Sequence, residues 1–321
     1  MPSRIHGQDK IDQGIITRGE IKKQIEEDLG NVVYEGRSYL DAEQSASVWQ
    51  IRRTRRVGGT TYIEWPVDPD TGLRSSEYKF SWEDRTTYFS AVPFTNALST
   101  NFDGVDAFVT LGDITELNLA TTFTISFWAK VSLPVATRGA VFQKYTGLNE
   151  RTAVTFNPTL GIVVILANGS NSYGRVVPPS DNAWHHYVAV YNGSGATNAD
   201  KLKVYRDGLL QSLTFSGTIP ATTYDGSAVS AEFGRLATAN YLAGLVDEVT
   251  LWSQNFSASE VAALYNGGVP NDPTEHSQAA SLISWWRMGD GDTYPTITDQ
   301  VGTYDGTMNN MVAGDFQSDV P

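Results

Sequence analysis

The sequence predicts a mainly β protein: a sandwich of short strands, preceded by a short helix and a small β-rich domain. Three observations predict this. From residue 99 onward, short runs of alternating apolar and polar residues are separated by turns rich in Gly, Asn and Asp. Helical periodicity is confined to two short stretches, 17–30 and 257–265. The 321 residues are 40% hydrophobic and 11% aromatic, ample for a buried core. No apolar run approaches the ~20 residues needed to cross a bilayer, so membrane insertion is not expected.

Residues 1–30 read as an arm and a helix. The arm, 1–16, is polar, and MPSRIHGQDKIDQG has no apolar h-region, so no secretory signal is expected. Thr17 can cap the helix, with Glu20 at the N3 position and an Ile16–Ile21 staple. Ile21, Ile25 and Leu29 recur every four residues, and Gly30 is a natural stop. Such a short helix is marginal alone in water. Its stripe needs burial, either within the chain or against copies of itself about a symmetry axis.

Residues 31–95 read as the small β-rich domain. SVWQIRRTRRV alternates, and Gly58-Gly59 turns it into TTYIEWPV as a hairpin. DPDTG at 68–72 is a second turn, and EYKFSWEDRTTYFS supplies a further strand. PFTNALST, 93–100, is linker-like.

Residues 96–321 read as the sandwich. NFDGVDAFVTLG opens it. In FTISFWAKV, Phe123, Ile125, Phe127, Ala129 and Val131 share one face. TLGIVVILANG and WHHYVAVYNG follow, then KLKVYRDGLLQ with Asp207-Gly208 as its hairpin turn. NYLAGLVDEVTLWSQNFSASEVAALYNGG, 240–268, combines a strand with a capped helix. Val246, Val249 and Leu251 are its apolar strand positions, Ser257 and Glu260 form a capping box, and Val261, Leu264 and Tyr265 give the helix one apolar face.

Charge narrows the function classes. The net charge of −13 is distributed as −2 over residues 1–95 and −11 over 96–321. An acidic body argues against nucleic acid, whose phosphates require clustered Lys and Arg. The basic cluster Arg52, Arg53, Arg55 and Arg56 has Glu64, Glu83 and Asp84 available to neutralise it, and reads better as a docking surface for an acidic neighbour. With no cysteine, disulfides and thiolate metal sites are excluded.

The landmarks of the third segment, in order, resemble the laminin-G-like and pentraxin-like domains of the concanavalin A-like lectin group. They are Phe102-Asp103-Gly104 with Asp106, Phe123 to Trp128, Trp184-His185-His186, Tyr205 with Asp207-Gly208, and Asp247-Glu248-Val249, then the helix after them. The resemblance implies a jelly-roll sandwich over 96–321, and recognition of glycans or proteins rather than catalysis. The tail SLISWWRMGDGDTYPTITDQVGTYDGTMNNM is similar to a segment that precedes the sandwich in many relatives; placed after it, it resembles marine-phage versions. Residues 34–90 resemble a module of bacteriophage structural proteins, through Tyr34, Gly36, Ser47, Trp49, Ile51, Ile63, Glu64, Trp65, Trp82, Glu83, Asp84 and Arg85. Together these resemblances imply a virion protein: a capsid decoration, head fibre or tail-associated adhesin, made in the host cytoplasm and attached by its N-terminal part. The implied partners are other virion proteins and its own copies, as a homotrimer held by Ile21, Ile25 and Leu29, with host-surface glycan as ligand. A free bacterial lectin-like adhesive protein, and a glycoside-hydrolase-related chain, are the alternatives.

Three kinds of site chemistry follow. In relatives the opening loop can hold a structural Ca²⁺, which takes oxygen ligands from loops; here that implies Asp103, Asp106 and Asp247. The competing reading is Asx-turn chemistry at Asp103 and Asp106. Asp290, Asp292, Asp299 and Asp305 form a second acidic group with the same two readings. For catalysis, a retaining glucanase needs two carboxylates about 5 Å apart. No E-x-D-x-x-E-like run occurs, and adjacent strand residues such as 247–248 or His185-His186 are expected to face opposite ways. No enzyme is expected. For glycan binding, stacking aromatics and hydrogen-bonding side chains occur together in two apparent loops: Tyr145, Asn149 and Arg151 in KYTGLNER, and Tyr173 and Arg175 in ANGSNSYGR. Trp252, Trp285 and Trp286 are expected in the core.

Overall fold

The computed structural model describes residues 94–131, 138–177 and 181–321, and five strands between residues 32 and 64. The chain divides into two units, 1–94 and 95–321. The helix expected at 17–30, with Ile21, Ile25 and Leu29, lies outside the described residues, as does the turn at 82–85.

The strands of the first unit are β1 (Val32–Tyr34), β2 (Tyr39–Leu40), β3 (Ser47–Val48), β4 (Ile51–Val57) and β5 (Thr60–Glu64). β2 pairs with β3, and β1, β4 and β5 form an antiparallel sheet in that order. The expected hairpin is present: Val57 pairs with Thr60 across Gly58-Gly59.

The second unit is a two-sheet sandwich. It begins with β6 (Ser99–Asp103), β7 (Phe108–Gly112), β8 (Thr122–Lys130), β9 (Gly139–Gly147) and β10 (Glu150–Asn157). Next come β11 (Gly161–Asn168), β12 (Tyr173–Val176) and β13 (Trp184–Asn192), then a one-turn helix α1 (Asn198–Lys201). β14 (Leu202–Arg206), β15 (Leu209–Leu210), β16 (Thr214–Ser216), β17 (Ala231–Phe233), β18 (Arg235–Leu236), β19 (Asn240–Tyr241) and β20 (Ala243–Trp252) lead into helix α2 (Ala258–Tyr265). β21 (Leu282–Trp286), β22 (Thr296–Ile297), β23 (Gly306–Asn309) and β24 (Phe316–Gln317) complete it. One sheet has nine strands in the order β16-β12-β11-β10-β9-β17-β7-β23-β22. The other has eight, β15-β14-β13-β8-β20-β6-β24, with β21 also paired to β20.

The core lies between the sheets. The predicted inward face of β8, Phe123 through Val131, is buried there in full. Rings from opposite sheets meet directly: Phe156 with Tyr187 at 5.6 Å and Phe233 with Trp286 at 5.1 Å, both edge-on. Trp252, Trp285 and Trp286 are buried, as their sequence context predicted. The tail belongs to both sheets, since β21 and β24 join the eight-stranded sheet and β22 and β23 the nine-stranded one.

Local rules explain the connections. Asp207 and Gly208 both have positive φ (51° and 74°), the two-residue hairpin conformation that lets Arg206 pair with Leu209. Ser257 Oγ accepts from the Glu260 amide and the Glu260 carboxylate accepts from the Ser257 amide, which completes the predicted capping box of α2. Val261 and Leu264 of α2 pack with Val188, Val190, Tyr205, Trp252 and Phe256 on the outside of the eight-stranded sheet. That sheet is therefore covered on both faces around β8, β13 and β20.

The tail's acidic residues are turn chemistry. Asp299 accepts four backbone N–H groups, from Trp285, Val301, Gly302 and Tyr304. Asp292 accepts from Gly289 and Thr298, and Asp305 from Asp299. Asp290 accepts from Ala97 and from Arg287, tying the entry strand to the tail.

Candidate functional site

The residues expected in two loops lie instead on three strands of the nine-stranded sheet. Tyr145 is on β9, Arg151 on β10, and Tyr173 and Arg175 on β12. Only Asn149 is in a turn, the Leu148-Asn149 connection between β9 and β10. The error has a physical source. Gly147 pairs with Glu150, so the strands run to the edge of a two-residue turn, and β10 itself, ERTAVTFN, was not anticipated.

Register then puts the predicted residues on one face. Arg151 pairs with Tyr145 on one side and Ala167 on the other. Two residues along, Ala153 pairs with Gln143 and Ile165, and Ile165 with Tyr173. Two further along, Val163 pairs with Thr155 and Arg175. Cross-strand partners share a face and alternate residues repeat it. Phe142, Val154, Phe156, Ile162, Val164 and Leu166, on the other side, belong to the core. Tyr145, Arg151, Tyr173 and Arg175 therefore stand on the outer face of the nine-stranded sheet.

The floor of this face is small and apolar: Ala140, Ala153, Val163, Ile165 and Ala167, with Leu236 of β18 beside them and Tyr173 packed against the group. Two tyrosine rings and a set of guanidinium groups rise from it. Arg151 is only 4% exposed, and its Nη2 donates to Asn171 Oδ1 at 2.9 Å. Burial, and then the nearby charge of Arg138, holds the Arg151 guanidinium below its ordinary pKa. At one side Gln143 donates to Glu232 at 2.7 Å and accepts from the Ala237 amide at 2.7 Å, which fixes the β18–β19 turn over the sheet. Arg138, Gln143 and Asn171 belong to this surface and were missed. For Gln143 the signal was the alternation of β9, which puts 140 and 143 on one face by way of a register shift near Val141 that no sequence pattern announces.

The three carboxylates considered for calcium are not brought together. Asp103 Oδ1 accepts from the amides of Val105, Asp106 and Ala107, the Asx-turn arrangement, and these bonds hold its pKa below the ordinary value against an opposing desolvation effect. Asp106 is exposed in the same loop. Asp247 is fully buried, and its carboxylate accepts from Asn96 Nδ2 and the Glu248 amide, both at 2.8 Å. Asp103 pairs with Ala243, four residues from Asp247, or about 13 Å along the strand. Among the described residues no group of three or more His, Asp or Glu side chains is arranged to hold a metal ion.

The opposite sheet carries a second polar group. Ser126 Oγ and His186 Nε2 are 2.6 Å apart beside a cavity of about 20 Å³ that Glu248 also lines. Burial drives the His186 pKa down to about 3, so the ring is neutral. Glu248 is pushed up to about 7 by desolvation, opposed by Arg287 and by the Trp285 indole, which donates to it at 2.6 Å. A bulge between Asp247 and Thr250 sets Glu248 at φ 47° and breaks the expected alternation, so Asp247 and Glu248 both turn away from the core. Ser126 and His186 are 3% and 2% exposed, and the cavity holds about one water. A hydroxyl and imidazole sealed in this way have no access to substrate. His185 lies elsewhere, between Asp207 at 2.7 Å and Asp181 at 3.0 Å. Near it is an open groove of about 240 Å³, lined by Trp128, Trp184, Asp207 and Tyr265.

Comparison with known proteins agrees with this architecture. Residues 103–262 match the laminin-G-type family model described as the concanavalin A-like lectin/glucanases superfamily. No curated protein matches the chain. Among solved structures the chain is similar to a protein from Bacteroides ovatus assigned to carbohydrate binding, at 16% identity and a TM-score of 0.50, over 82% of this chain and 67% of that one. It is also similar to a heptameric SAP-like pentraxin from Limulus polyphemus (16% identity, TM-score 0.41, covering 55% and 86%). A third is the CBM40 of Ruminococcus gnavus IT-sialidase bound to α2,3-sialyllactose (12% identity, TM-score 0.39, covering 53% and 100%). At 16% identity the likeness to the B. ovatus protein speaks for the fold alone.

Proposed function

We propose, from the premise that residues 96–321 form a concanavalin A-like sandwich, that this protein is a non-enzymatic carbohydrate-binding protein whose binding surface is the outer face of the nine-stranded sheet. One observation carries the reading. Tyr145, Arg151, Tyr173 and Arg175, chosen from residue chemistry alone, stand on a single face of a single sheet. Tyrosine rings offer apolar stacking surface with a polar tip, and guanidinium groups offer several donors to hydroxyl or acidic oxygens. The opposite outer face is occupied by α2, which leaves it less room for a ligand. The B. ovatus structure, assigned to carbohydrate binding, supports the reading at the level of its fold.

The biological setting we propose is a bacteriophage particle. The phage-like module of residues 34–90 and the WWRMGDG tail support it. The N-terminal part would attach to the virion, copies would assemble through Ile21, Ile25 and Leu29, and the sandwich would present its sheet face to host-surface glycan. Weak single-site affinity then becomes useful through many displayed copies.

A carbohydrate array probed with the full chain, wild type and Tyr145→Ala/Tyr173→Ala, tests the binding function. Binding to a defined set of glycans, lost in the double variant, is expected; a blank array, or full binding by the variant, overturns it. Peptide mass spectrometry on density-purified particles tests the setting. Recovery at a copy number near that of other structural proteins is expected, and recovery in the supernatant alone identifies a free lectin instead.

A further inference from the structure

Among the described residues of this sandwich, several buried or half-buried cations have anionic partners, whereas Arg138, Arg151, Arg175 and Lys201 do not. Lys144, 1% exposed, donates to Asp113 and Asn118, both at 2.5 Å. Arg235 pairs with Glu232, Arg287 with Glu248 and Asp290, and Arg206 with Asp181 and Asp207. Arg138 and Arg151 have no such partner. The Nε of each is shut off from solvent with nothing to donate to, and neither makes an ion pair among the described residues. Arg151 retains one neutral partner, Asn171. The sequence segments 132–137 (SLPVAT), just before Arg138, and 178–180 (PPS) contain no acidic residue.

Such an arrangement is costly. A buried charge without a counter-charge loses several kcal/mol of hydration, and a second like charge nearby adds repulsion. The charge of Arg138 acts on the Arg151 guanidinium, Tyr173 is close enough to act on Arg138, and Tyr145 on Arg151. Arg151, Tyr145 and Tyr173 share the outer sheet face by register, and Arg138 is the residue immediately before β9. In a domain of net charge −11, the Nε groups of Arg138 and Arg151 are buried without an acceptor, and Arg175 of the same face also has no ion pair among the described residues.

We infer that Arg138 and Arg151 form an anion-recognition pair for an acidic saccharide, one whose sugar carries a carboxylate or a sulfate. This rests on the carbohydrate-binding reading above and names its ligand class. Guanidinium groups match the planar oxygen pair of a carboxylate or two oxygens of a sulfate, and the bonds they make are charge-assisted. Tyr145 and Tyr173 bracket the pair and supply the surface against which the ring stacks.

The test is titration calorimetry on the full chain with tri-galacturonate against its methyl ester, and with lactose 3′-sulfate against lactose. The acidic member of at least one pair is expected to bind about tenfold tighter or more, with the preference weakening as salt rises. Which pair responds separates carboxylate from sulfate. Arg138→Gln, at the half-buried position, is expected to bring the acidic-to-neutral ratio close to one. Arg151→Lys keeps the charge but not the planar fork, and is expected to reduce the same ratio. Equal binding of both members by the wild-type chain overturns the acidic class while leaving a neutral-sugar site. No binding of any member, together with a blank array, removes both readings. If Arg138→Gln alters the mass seen by light scattering and leaves the ratio intact, the pair serves contacts between copies and the inference fails.

Discussion

At the scale of single residues, several buried polar groups hold the fold together. Glu248 is one of them. Its folded pKa lies near 7, above the ordinary carboxylate value of 4.5. The stability it contributes is therefore complete below about pH 4.5 and is lost as pH rises through about 7. Glu248→Gln removes this titration, so the stability of wild type relative to the variant is predicted to fall as pH rises from about 4.5 to about 8. Urea denaturation at both pH values checks it, and a difference that does not change with pH contradicts it. His186 has the opposite sign. Its pKa is lowered, so its contribution is complete above about pH 6.5 and is lost as pH falls toward 3. The two groups thus oppose one another in the window between, which is why the variant comparison is more informative than the wild-type curve alone. At Asp103, whose carboxylate serves its own loop's amides, chelator is predicted to leave the melting temperature unchanged; a drop of several degrees on adding EDTA would show that a metal is held after all.

At the scale of elements, the strands and α2 were legible in the sequence because local signals agreed with tertiary demand. Phe123 to Val131 alternate and fill the core; Ser257 and Glu260 cap α2 as a box. Ser257→Ala is predicted to cost about 1 kcal/mol in a thermal melt, with Ser257→Asp near wild type. The binding face was less legible. The residues proposed for it were chosen as a chemical set and assigned to loops, because a Gly–Leu–Asn–Glu turn looks like a longer loop when β10 is not recognised as a strand. Arg151 lies on β10, and Arg138 is the residue before β9. Only the register sets Arg151 on one surface with Tyr145 and Tyr173. The tail is a further case in which the family match understates the folding unit. Matched residues end at 262, yet Trp286 and Met308 are core residues and β21–β24 extend both sheets. Truncation after residue 281 is predicted to abolish cooperative unfolding, monitored by circular dichroism; a truncated chain that melts like the full one refutes the tail's structural role.

At the scale of the whole molecule, the sandwich carries α2 on one outer face and aromatic and cationic groups on the other. If the N-terminal helix assembles copies, removing residues 1–30 is predicted to lower the mass measured by light scattering while leaving the sandwich's melting temperature within a few degrees. Equal masses for the two chains remove the assembly role without touching the binding face. The central claim, that the outer face of the nine-stranded sheet binds carbohydrate, is tested most directly by the crystal structure of the full chain with the saccharide that binds it best on the array. The account predicts sugar density across β9–β12, against Tyr145 and Tyr173 and within hydrogen-bond distance of the arginines. Density in the groove beside Trp184 and Tyr265 on the opposite sheet would contradict it.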